Sequence, residues 1–110
     1  MILQDSANKF LAAAASGLPI DRGTGISLAA NLRSRSIDLQ YSKATEFSPD
    51  VQELALLAAQ VALVSFGANS GDLAEYEKDV FYYRCFSPPH PIVSRYESFK
   101  SHWVAHAGGA

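Results

Sequence analysis

The sequence predicts a mainly α fold, one helical domain over residues 1–110, with about five helices packed around a buried central helix at 51–66. Three observations carry this. Apolar residues recur three and four positions apart through most of the chain. Most such stretches open on a capping residue and close on glycine or proline. One stretch, VQELALLAAQVALVSF, is apolar on nearly every side, as a helix enclosed by others must be.

The elements follow in chain order. Ser6 is a candidate cap for a first helix running to Ser16, with Phe10, Leu11 and Ala14 on one face and Gly17 and Pro19 as its stop. Asp21 or Thr24 can cap a second, short helix from Gly25 to Ser34, whose stripe is Ile26, Ala29, Ala30 and Leu32. Beyond it, Ile37, Leu39 and Tyr41 alternate with Asp38, Gln40 and Ser42. That is strand periodicity and predicts a short extended segment at 37–41. Ser48, Pro49, Asp50 and Glu53 then form a strong helix start, with negative charge at the positive end of the helix dipole. Gly67 ends that central helix. Ser70 or Asp72 opens a fourth, with Leu73, Tyr76, Val80 and Tyr83 in line. Its continuation VFYYRCF is rich in strand formers, so an α+β alternative pairs it with IDLQY. Pro88 and Pro89 break the chain, and Pro91 starts a fifth helix bearing Ile92, Tyr96, Phe99 and Trp103.

Composition narrows the function classes. A hydrophobic fraction of 48% with 18% charged residues belongs to a globular chain. A formal charge of −2 argues against a protein held on nucleic acid mainly by phosphate contacts. The run LALLAAQVALVSF has thirteen residues, short of the roughly twenty a membrane span needs. The N-terminal stretch lacks a secretory pattern, and a lone cysteine favours a reducing compartment. These features predict a soluble, cytoplasmic protein.

The chemistry-bearing residues cluster late in the chain. Cys85, His90, His102 and His106 have the spacing C-x4-H-x11-H-x3-H, and a zinc ion accepts one thiolate and three imidazoles in a tetrahedron. Against a zinc site, no second cysteine is present, and each residue has a plain structural role open to it. Cys85 with His90 is also the minimal composition of a thiol nucleophile and its base, although an orienting group is not legible. Gly23-Thr24-Gly25 ahead of a helix suits either an anion or a simple turn. Asp72–Asp79 lacks the ligand spacing of a calcium loop and reads as a solvated face.

Aromatic residues are in surplus: Tyr76, Phe81, Tyr82, Tyr83, Phe86, Tyr96, Phe99 and Trp103 fall within one C-terminal stretch. Tyrosine and tryptophan are favoured at protein interfaces. The leading expectation is therefore a non-enzymatic protein–protein interaction domain, a regulator, inhibitor, adaptor or small subunit, able also to self-associate. Tyr82, Tyr83 and Trp103 would be its anchors, with Arg33 and Arg35 as rim contacts. No cofactor is expected on this reading. The alternatives are a zinc-binding domain using the Cys/His set and a small ligand-binding or catalytic helical domain.

Overall fold

A computed structural model of the chain describes residues 2–42, 48–85 and 90–108. Five α-helices follow one another: α1 (Ile2–Ala15), α2 (Arg22–Ser42), α3 (Pro49–Phe66), α4 (Gly71–Phe81) and α5 (Pro91–Trp103). A 3-10 turn, Tyr82–Cys85, extends α4, and a π turn, Val104–Gly108, extends α5. The radius of gyration, 13.3 Å, is that of a compact chain of this length. No helix among the described residues is long and apolar enough to cross a membrane.

The central helix is α3. Twelve of its eighteen residues are buried, so it has almost no wet face and must be covered on all sides. Helix α2 covers it most extensively, and α4, α1 and α5 close the rest. Pro49 occupies the first turn, and Ser48 caps through its backbone, its carbonyl accepting from Gln52 N–H at 3.1 Å. Gly67 ends the helix at φ +97°, a conformation that suits glycine, and its N–H donates to the Leu63 carbonyl at 3.0 Å.

The helix divides the interior in two. Leu54, Leu57, Ala58, Val61, Ala62 and Leu63 join Ala7, Ala29, Leu32 and Leu73 in one cluster. Leu56 and Ala59 face the other way and join Val80, Tyr83, Ile92, Val93 and Tyr96. Each cluster therefore depends on α3 for part of its wall.

Two expected boundaries are corrected. Helix α1 begins at Ile2, with Ser6 exposed inside it. Leu3 and Ala7 continue the stripe of Phe10, Leu11 and Ala14 at helical spacing, so the helix extends to bury them. The extended segment at 37–41 is helix. Residues 22–42 form one unbroken α2, because Ala29, Leu32, Ser36 and Leu39 recur at intervals of three and four and all meet the core side. Ser36 Oγ donates to the buried Val51 carbonyl at 2.9 Å, tying α2 to the start of α3. The α+β alternative falls with it, since residues 80–85 are α and 3-10 helix and no described residue lies in a strand. The predicted break at Pro88 and Pro89, and Phe86, lie outside the described residues.

Candidate functional site

Helices α2 and α4 both pack on α3 and leave a groove between them. Its floor is Val51 and Ala55, one α-helical turn apart on α3. The α2 wall is Ser36, Ile37 and Gln40. The opposite wall is Lys78 and Asp79 from α4 with Tyr82 and Tyr83 from the 3-10 turn. The cleft holds about 350 Å³. A smaller hollow of about 230 Å³, between Ala30, Arg33, Ser34, Ile37, Asp38 and Tyr76, adjoins it across Ile37.

Arg33 bridges the two walls. Its Nε donates to Asp79 Oδ2 at 2.9 Å, and its guanidinium lies 5.8 Å from the centre of the Tyr76 ring. Burial pushes the Tyr76 phenol above its ordinary range; the Arg33 charge works against that shift, while Asp72 and Asp79 add to it. Arg33 is thus held by a carboxylate and an aromatic face, which fixes a planar cation in the smaller hollow.

The two adjacent tyrosines divide their roles. Tyr82 is 49% exposed on the rim, whereas Tyr83 is 2% exposed and belongs to the second core cluster. Their rings meet edge to face, with centroids 5.2 Å apart at 79°. Tyr83 thus contributes to the groove wall while its own chain covers nearly all of it, and Tyr82 offers the larger accessible ring. The contribution of Tyr83 is to brace Tyr82 from below.

The remaining expected contacts sit elsewhere. Trp103 is half-buried against the first core cluster. Arg35 is exposed and lies about 200° round α2 from Arg33, on the other flank of that helix. Of the five predicted partner-binding residues, Tyr82 and Tyr83 line the groove, and Arg33 lines the adjoining smaller hollow. Ile37 and Gln40 were hidden by the reading of 37–41 as extended. Their signal was the helical interval Arg33, Ile37, Gln40, which places all three on one face.

The Cys/His set does not converge. Among the described residues, no group of three or more His, Cys, Asp or Glu side chains is arranged to hold a metal ion. His90 is the cap of α5: its Nδ1 accepts from Ile92 N–H at 3.1 Å, and Pro91 fills the first turn. With a lone pair already engaged, it serves the helix start. Cys85 is exposed, its thiol donating to the Tyr82 carbonyl at 2.9 Å. His102 and His106 stack on each other at the far end of α5. Gly25, one of the glycines considered for an anion, is buried within α2 against Ser65 and Phe10.

One further hollow of about 580 Å³ opens between Phe81, Glu97, Lys100, Ser101, Val104 and Ala105. The Arg84 guanidinium lies 3.8 Å from the ring centre of Phe81, one of the residues lining this hollow. No protein-family model, curated protein or solved structure matches the chain.

Proposed function

We propose that this domain is a non-enzymatic protein-interaction module that seats a protein partner in the α2–α4 groove. The observation that supports this most is Tyr82. It stands half-exposed on a groove rim, its ring braced against the buried Tyr83. A rigid aromatic loses little conformational freedom on binding, which is what an interface anchor requires. Arg33, paired with the groove residue Asp79, adds a held guanidinium in the adjoining hollow. The apolar floor of Val51 and Ala55 gives the partner a place to bury side chains. The mechanism is occupancy: the partner's contact surface is covered, and no bond is made or broken. The single, exposed cysteine fits action in the cytoplasm.

The test is to place a photo-crosslinking residue at Tyr82 in the native host and identify what is captured. A protein captured there should bind purified wild-type domain, and Tyr82→Ala should weaken that binding about thirtyfold while the melting temperature holds. Trp103→Phe, away from the groove, should bind as wild type. A captured second copy of the chain, with a dimer mass in solution, would make self-association the function of the groove. Full affinity in Tyr82→Ala would refute the reading.

A further inference from the structure

We infer that His102 and His106 form a two-imidazole clamp for a borderline divalent metal ion of the Ni²⁺, Cu²⁺ or Zn²⁺ class. The inference is independent of the groove. Both side chains are exposed, and their rings stack with centroids 4.3 Å apart and planes within 20°. Two features of the chain produce this. Four residues of α-helix overshoot a full turn by about 40°, which already sets both rings on one side. The wider π turn that begins at Val104 takes part of that overshoot back, so the rings come nearly into register.

A hydrogen bond then prepares a ligand. His106 Nδ1 lies 3.1 Å from the His102 carbonyl oxygen. A carbonyl only accepts, so Nδ1 carries the proton and, in the neutral ring, Nε2 keeps its lone pair for a metal. This is the outer-sphere arrangement that orients metal-bound imidazoles. Bonds from such metals to imidazole nitrogen run about 2.0–2.1 Å, so adjacent ligand atoms must stand about 3 Å apart. In the stack the two sets of lone pairs lie in near-parallel planes, so both exposed side chains must turn out of it to bring one nitrogen from each onto the same ion. Imidazole nitrogen suits copper, nickel and zinc, and discriminates against the oxygen-seeking magnesium and calcium. The remaining coordination positions belong to water or to a ligand from another molecule, which makes the ion exchangeable. This two-residue site is smaller than the four-residue set that the sequence offered as an alternative, since His90 spends its Nδ1 on the α5 cap.

The test uses the full chain without an affinity tag and with Cys85→Ser, so that no thiolate competes. Ni²⁺ titrated calorimetrically should bind, and His102→Ala and His106→Ala should each weaken binding about 100-fold, the loss expected when a chelate becomes a single ligand. His90→Asn, which preserves a capping side chain, should bind as the parent does. Helical circular dichroism confirms that each variant is folded. Absence of Ni²⁺ binding by the parent, or undiminished binding by the His102→Ala/His106→Ala double variant, would overturn the assignment.

Discussion

At Gly25 three helices meet with no room for a side chain. A Cβ built there would overlap Ser65 Oγ from α3 and lie 2.6 Å from the Phe10 ring of α1. Neither neighbour yields easily: Ser65 is 1% exposed, and Phe10 packs on the first cluster. Gly25→Ala should therefore destabilise the domain by about 1–3 kcal/mol through overpacking, despite the better helix propensity of alanine. Urea unfolding would show this, and an unchanged midpoint would disprove the close crossing. Ser65 carries the complementary expectation. Its hydroxyl is buried without a hydrogen-bond partner among the described residues, while its carbonyl accepts from Arg22 Nε at 2.8 Å. Ser65→Ala removes the stranded hydroxyl and leaves the carbonyl in place, so stability should hold or rise by up to about 1 kcal/mol. The helix expected from Gly25 begins at Arg22, so Gly23-Thr24-Gly25 lies in its first turn and Asp21 holds that start, Thr24 N–H donating to Oδ2 at 3.3 Å. The true constraint on Gly25 was not legible, because it arises from residues some fifteen positions before and forty after it, and no local pattern encodes a crossing point.

At the scale of elements, α4 and α5 are joined by a part-buried polar staple. Glu77 Oε2 accepts from Tyr96 Oη at 2.6 Å and from Lys100 Nζ at 2.7 Å. Tyr96 and Lys100 are four apart on α5, so one carboxylate on α4 engages one face of its neighbour. Burial, then the hydrogen bond to Glu77 and its negative charge, hold the Tyr96 phenol far above its ordinary range. The sign follows from proton counting. Above a pH of about 10 the unfolded phenol loses its proton and the folded one keeps it. The folded state then binds more protons, so stability falls as pH rises, by about 1.4 kcal/mol per unit for one such group. Below that pH the contribution is complete. Unfolding free energies measured from pH 8 to 11 should decline above 10, and Tyr96→Phe should flatten the decline. An equally steep profile in Tyr96→Phe would remove Tyr96 as its source. The two ends of this staple were visible in sequence only as a wet side and an apolar side. Helix α2 was harder still. Its core side is made of Gly25, Ala29 and Ser36 as much as Leu32, so it has no strong apolar stripe. The alternation of Ile37, Leu39 and Tyr41 therefore dominated its C-terminal half, although Tyr41 is 86% exposed and Leu39 only half-buried.

At the scale of the whole molecule, α3 makes the domain indivisible. The sequence showed that this helix had to be enclosed, because its apolar residues leave no wet face. It did not show which neighbour would take which side, since an all-apolar helix has no stripe to orient it. The structure resolves that into two clusters sharing one wall, and the sharing has an energetic consequence. Leu56 belongs to the cluster that includes Tyr83 and Tyr96, whereas Trp103 packs against the other. Leu56→Ala should cost about 2–5 kcal/mol, the range for a buried leucine whose cavity cannot close. If both clusters stand or fall with α3, the loss must appear at Trp103 as well. Trp103 fluorescence and helical circular dichroism should then report one shared transition, displaced to lower urea in Leu56→Ala by the same amount in both signals. A fluorescence transition left at the wild-type midpoint, while the helical signal moves, would mean that the two halves unfold separately. The groove would feel that difference directly, because its floor is α3, while its two walls come from helices that meet each other chiefly through Arg33. A domain that opens as one unit keeps the Tyr82 rim and the Val51–Ala55 floor in register until the fold itself is lost.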